Sequence, residues 1–141
     1  MMEFLSNKER KELQRKAPWI KGKRIAKKES LLYVDGKLLA FLRDGEVIPS
    51  LVAVMEKIVA LPKVVVDVGA IRYIASGADV MRPGIVELDD FDEGSIVAVV
   101  DERHGKELAI GKALKSSEEI KKASAGKVIK TLHYVGDNMW E

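Results

Sequence analysis

The stretch Val64-Val65-Val66-Asp67-Val68-Gly69-Ala70-Ile71-Arg72-Tyr73-Ile74-Ala75-Ser76-Gly77-Ala78-Asp79-Val80-Met81-Arg82-Pro83-Gly84 decides how this chain is read. Its three consecutive valines are short and β-branched enough for a buried strand. Residues 69–75 read as a two-turn helix carrying Ile71 and Ile74, with Gly77 placed to end it in a left-handed conformation. A strand over 79–81 then meets the Arg82-Pro83-Gly84 turn. Val80 and Met81 alternate, so one of them belongs to a core and the other to a surface.

Downstream, residues 95–100 and 107–114 are β-rich and joined by a tip containing His104-Gly105, which predicts a hairpin. Ser116 and Glu119 form a capping-box pattern for a brief helix through 123, with Gly126 to end it, and residues 127–134 make a last strand. Many short strands with regular turn signals predict a small mixed barrel over residues 63–141.

Upstream, Ser6 and Glu9 give another capping box, for a helix over 7–16 that Pro18 follows. Leu13, with Phe4 and Leu5 before it, is nearly all its apolar content, so the helix packs by one narrow stripe. Short β-type runs over 24–28, 31–34, 37–43 and 46–48 are punctuated by Asp35-Gly36 and Asp44-Gly45. Asp-Gly between apolar runs is a hairpin signal, because a type I′ turn needs positive φ at both central positions. Ser50 then caps a segment in which Leu51, Val54, Met55, Ile58 and Val59 fall at helical spacing, predicting a helix over 51–59 buried against the sheet. Leu61-Pro62 closes this first module. The fold class is therefore α+β: a basic N-terminal module of antiparallel sheet and helices over 1–62, followed by the mixed β barrel with short helices.

In a chain of 141 residues, 47% hydrophobic and 33% charged, two small domains are about the most that can each hold a core. Cysteine is absent, which removes disulfides, thiolate catalysis and cysteine-ligated metals. No apolar run approaches the ~20 residues of a spanning helix, so the reading is a cytoplasmic protein without a membrane partner. The net charge of +2 hides an asymmetry: residues 1–30 hold ten Lys and Arg against four Glu, while the rest is net acidic. Lys8, Arg10, Lys11, Arg15, Lys16, Lys21, Lys23 and Arg24 thus form a candidate basic surface for an anionic partner, with a solvated helix face as the bland alternative.

Catalytic and metal signatures are missing. His104 and His133 are the only histidines and share no metal-ligand spacing. Asp89, Asp90, Asp92 and Glu93 lack the EF-hand pattern. Gly105 to Lys112 has two glycines, the second followed by a lysine, but five residues separate the glycines and Ala113 follows, so it is no Walker A loop. No cofactor is expected.

The order Val66-Asp67-Val68-Gly69-Ala70-Ile71, Ser76 to Ile85, Val97–Val100, Leu108-Ala109-Ile110-Gly111, Ser117-Glu118-Glu119-Ile120 and Gly126-Lys127 resembles PUA (pseudouridine synthase and archaeosine transglycosylase) domains. The ending Leu132-His133-Tyr134-Val135-Gly136-Asp137-Asn138-Met139-Trp140 resembles the subgroup of the malignant T-cell amplified sequence proteins and the N-terminal part of ligatin, and the compact form suggests an archaeal member. Pro18-Trp19 and residues 33–51 are similar to that subgroup's N-terminal domain, although the leader before Trp19 is shorter and richer in Lys and Arg.

The resemblance implies a pseudobarrel that holds structured RNA in a groove along Arg72, Tyr73, Ser76, Gly77, Ala78, Val80, Met81, Arg82 and Pro83, with Lys127 and Lys130 on the last strand adding charge. Gly77 and Ala78 would admit a phosphodiester close to main-chain amides, although Gly77 serves equally as a helix stop. Arg72 and Arg82 suit bidentate phosphate contacts, Tyr73 suits stacking on an unpaired base, and Asp79 suits a structural role. The implied function is a non-catalytic RNA-binding protein of translation, contacting tRNA or ribosomal RNA in initiation or ribosome recycling. The implied partners are the small ribosomal subunit and a protein. The alternative is an RNA-recognition adaptor for a tRNA or rRNA modification enzyme.

Overall fold

A computed structural model describes residues 2–140, and the chain divides near Val59 and Ala60 into two compact units. In the first, β1 (Glu3–Phe4) precedes α1 (Asn7–Lys16), whose capping box is complete: Ser6 Oγ accepts from the Glu9 amide and Glu9 Oε1 accepts from the Ser6 amide. Then follow β2 (Ile25–Lys28), β3 (Leu31–Val34), β4 (Lys37–Arg43), β5 (Glu46–Pro49) and α2 (Leu51–Met55). The five strands form an antiparallel meander in sequence order. Both Asp-Gly turns have the type I′ signature, with positive φ at Asp35, Gly36, Asp44 and Gly45. Leu13 and Ile20 pack with Ile25, Leu32, Val34 and Leu39 as one core, whereas Phe4 is 61% exposed and takes no part in it.

The helix expected over 51–59 is cut short. α2 ends at Met55 because Lys57 turns left-handed at φ 59°. The Ile58 amide then donates to Ala53 O and the Lys57 amide to Val54 O, the two bonds of a Schellman cap. Leu51 and Ala53 carry the buried face, and Met55 and Ile58 are left exposed.

The second unit runs β6 (Lys63–Val66), a 3-10 turn at Val68–Ala70, α3 (Ile71–Ala75), β7 (Val80–Met81), a 3-10 turn at Arg82–Gly84, β8 (Ile85–Leu88), β9 (Ile96–Asp101), β10 (Glu107–Ala113), α4 (Ser117–Lys122) and β11 (Lys127–Tyr134). Strand order is β7-β11-β10-β9-β6-β8, with β6 parallel to β9 and every other pairing antiparallel. β7 and β8 are the two edges, yet only the three residues 82–84 join them, a link that spans at most about 14 Å. The sheet must therefore curl until its edges nearly meet, which makes the mixed pseudobarrel. Val64, Val66, Val97, Val99, Ile120 and Ile129 fill its interior with no exposed surface. β1 and β8 were not foreseen, and α4 ends at Ala123 in extended conformation, three residues before Gly126. Among the described residues no helix is long and apolar enough to cross a membrane.

Candidate nucleic-acid interface

Asp67 starts the segment that shapes the site, its Oδ1 accepting from the Ala70 amide at 3.0 Å. That cap fixes the phase of α3, so Ile74 points into the barrel while Arg72 and Tyr73 face outward. Tyr73 is 55% exposed, and the Arg72 guanidinium lies 4.9 Å from its ring centroid with Nη2 donating to Tyr73 Oη at 2.9 Å. α3 stops in a second Schellman cap: Gly77, at φ 103°, donates to Ile74 O, and Ala78 donates to Tyr73 O.

The chain from 78 to 81 is bolted to β11. Thr131 donates its amide to Asp79 Oδ1 at 2.8 Å and its hydroxyl to Ala78 O at 2.8 Å. Lys127 Nζ lies 2.9 Å from Asp79 Oδ2. Burial pulls the Asp79 carboxyl upward, but the hydrogen bonds from Lys127 and Thr131 and the charges of Lys127 and Lys130 outweigh it and hold the group below its ordinary range.

Between α3 and β7 lies an open cleft of about 280 Å³, lined by Ala70, Tyr73, Ile74, Ala78, Asp79, Val80, Met81 and Gly84. Its walls are almost wholly apolar, with Tyr73 and the half-exposed Met81 at the rim. Ser76 and Pro83 are exposed beside it, and Lys130 is exposed on β11.

Five of the expected residues are otherwise engaged: Lys127 pairs with Asp79, the Gly77 and Ala78 amides close the cap of α3 and so are not free for a phosphodiester, and Val80 and Arg82 serve the core and the main chain. Val80 is 1% exposed, so its side chain belongs to the core and only Met81 of the pair reaches solvent. Arg82 is half-buried and spends Nε on Ala123 O at 3.0 Å and Nη1 on Ile85 O at 3.3 Å. A guanidinium committed to two main-chain carbonyls is not free for a bidentate phosphate contact. Nothing in the local sequence around Arg82 announces the carbonyl of residue 123.

In the first unit, Lys8, Lys11 and Arg15 stand one above another on the face of α1 opposite Leu13, all exposed. Lys16, Lys21, Lys23 and Arg24 are exposed as well, whereas Arg10 is half-buried and donates to Lys23 O at 3.3 Å. His133 is fully buried on β11, its Nδ1 2.7 Å from Asp137 Oδ2. His104 is an exposed turn residue whose amide donates to Asp101 Oδ1. Among the described residues no group of three or more His, Asp or Glu is placed to hold a metal ion.

A nearly closed six-stranded barrel with a helix-edged apolar cleft, joined to an antiparallel meander, defines a two-unit protein built on a β pseudobarrel. A family model for the PUA domain matches residues 62–135, and the chain belongs to the PUA-domain family. It is 46% identical over 111 residues to an uncharacterized protein of Methanocaldococcus jannaschii, covering 78% of this chain and 68% of that one. Translation machinery-associated protein 20 of Saccharomyces cerevisiae is 38% identical over 120 residues, covering 80% of this chain and 66% of that one. Malignant T-cell-amplified sequence 1 of Danio rerio is 33% identical over 115 residues, covering 78% and 64%. The chain thus spans about two thirds of the length of the curated relatives it matches. A crystal structure of a PUA domain from Aeropyrum pernix superposes with a TM-score of 0.86 at 27% identity, covering 100% of this chain and 89% of that one. A chain of an archaeal box H/ACA small ribonucleoprotein complex superposes with a TM-score of 0.55 at 30% identity, covering 68% of this chain and 30% of that one.

Proposed function

We propose that this protein binds structured RNA, tRNA or ribosomal RNA, in the cleft between α3 and β7, and does so without catalysis as a cytoplasmic component of translation. The observation that carries this reading is the exposed Arg72–Tyr73 pair at the rim of an apolar cleft. A solvent-facing ring offers an unpaired base a stacking surface, and the guanidinium beside it offers a phosphate or base edge its donors. Ala78 is exposed beside the pair, and Lys130 supplies charge on the neighbouring strand. The translation assignment draws on the relatives named for the translation machinery. The stripe Lys8, Lys11 and Arg15 supplies further phosphate contacts, and the small ribosomal subunit with a protein partner is the proposed setting, in initiation or recycling.

A second reading, an RNA-recognition adaptor for a modification enzyme, is favoured by the likeness to a chain of the H/ACA particle. Crosslinking to cellular RNA followed by sequencing separates the two. The first reading expects ribosomal RNA or tRNA reads that vanish in an Arg72→Ala, Tyr73→Ala double variant. Co-purification with a modification enzyme would favour the second. Reads unchanged in the double variant would defeat the cleft assignment itself.

A further inference from the structure

The outer face of the first unit's sheet carries a second aromatic cluster, on a different unit from the PUA cleft. Registered partners in an antiparallel sheet share a face, and Phe4 pairs with Ala26, which pairs with Tyr33. Two strand spacings separate Phe4 from Tyr33, about 10 Å, with only the methyl group of Ala26 between them. Alternation along β2 puts Lys28 on the same face as Ala26, while Met2, Arg24 and Asp35 flank the strand ends, Asp35 in the left-handed turn at φ 49°. All of these but Lys28, together with Gly36, line a pocket of about 410 Å³.

Two of its apolar members are unusually exposed for a small sheet, whereas Ala26 is buried as its floor and Tyr33 is half-buried. Phe4 is 61% and Met2 45% exposed, and the Arg24 guanidinium sits 5.0 Å from the Phe4 ring centroid. The opposite face of the same strands carries the core through Ile25, Leu32 and Val34, so Phe4 is not a core residue left half-covered. An exposed ring, an arginine lying on it, a small residue as floor and a second ring two strands away make a slot for a flat aromatic group. Four of its lining residues, Met2, Phe4, Arg24 and Ala26, belong to the segment of residues 1–30, which holds ten Lys and Arg against four Glu. The Asp35 carboxylate at the pocket edge disfavours a phosphate there and accepts from an exocyclic amine, which leaves the phosphates to Arg24 in the lining and to the exposed Lys28 further along β2.

We infer that this slot stacks an unpaired nucleobase of a single-stranded RNA segment, with Arg24 and Lys28 holding the adjoining phosphates. It does not depend on the PUA cleft and would operate if that cleft bound nothing. The test is fluorescence anisotropy with a labelled single-stranded 12-mer RNA and a labelled RNA duplex of equal length. It compares the full chain with Phe4→Ala, Phe4→Trp, Arg24→Ala and the Arg72→Ala, Tyr73→Ala pair. Phe4 is exposed, so its replacement leaves the core intact, and circular dichroism melting checks this. Phe4→Ala is expected to weaken single-strand binding about tenfold, with Phe4→Trp restoring it and duplex binding unmoved. Arg24→Ala is expected to weaken single-strand binding and lower its salt slope by about one. The cleft pair is expected to leave the Phe4→Ala difference in place. Equal single-strand affinity in wild type and Phe4→Ala, or an equal loss for duplex, would overturn the inference.

Discussion

The ring of Tyr134 lies so close to Gly77 that a Cβ on that glycine would stand 2.7 Å from the tyrosine Cζ. The end of β11 is thereby seated on the end of α3, and the Gly136 amide donating to Ala75 O at 3.1 Å fastens the same junction. Gly77 is therefore required twice by the protein's own packing, once for its positive φ and once for this approach. Gly77→Ala is expected to cost about 2 kcal/mol or more, from left-handed strain and crowding together. Urea unfolding of the variant measures it. Tyr134→Ala in the Gly77→Ala background is expected to return part of the loss, and strict additivity would mean the ring and the glycine do not interact.

Arg82 acts as a strut between the turn after β7 and the end of α4. Arg82→Lys keeps the charge but cannot reproduce donation to both Ala123 O and Ile85 O, so it is expected to lose about 1–2 kcal/mol of stability. RNA affinity per folded molecule is expected to change less than twofold. A large affinity loss with unchanged stability would return Arg82 to the set of direct contacts.

Asp79 links acid sensitivity to the shape of the cleft. Its carboxyl is held below the ordinary range, so its contribution is present above about pH 4 and is lost as pH falls through the depressed native value. Asp79→Asn is expected to be less stable than wild type by about 1 kcal/mol at pH 7, the scale of a hydrogen-bonded, partly exposed pair. The two proteins should converge below pH 3, which denaturant midpoints at each pH will show.

His133 gives a second, higher window. Burial pushes its imidazole below the ordinary value of 6.5, and the hydrogen bond and charge of Asp137 recover only part of that shift. The unfolded chain therefore binds the proton first, and stability falls as pH drops below about 6.5. Replacing the group by a non-titrating amide, His133→Gln, is expected to flatten the change in unfolding midpoint between pH 7.5 and 5.5. An unaltered slope would assign the acid sensitivity to other groups.

What could be read from sequence was local. The capping boxes at Ser6 and Ser116 and the Asp-Gly turns are decided by side chains within a few residues of the backbone they satisfy. α2 was over-read because the apolar spacing continues past Met55, while the left-handed turn at Lys57, unmarked by a glycine, ends the helix. At the cleft, the segment and the alternation of Val80 with Met81 were legible, but not which of the two meets solvent, and Tyr73 proved more exposed than an aromatic beside a small core usually is. The commitments of Arg82 to residue 123 and of Gly77 to residue 134 were not legible, because those partners are brought in only when the sheet curls closed. The same holds for the Phe4, Ala26 and Tyr33 slot, which exists only through strand register.

Hydrogen exchange of the full chain with and without bulk tRNA or ribosomal RNA tests the central claim most directly. Binding in the cleft predicts added amide protection concentrated over residues 72–83 and absent in the folded Arg72→Ala, Tyr73→Ala variant. Protection confined to other segments, or protection over 72–83 that persists in the double variant, would contradict it.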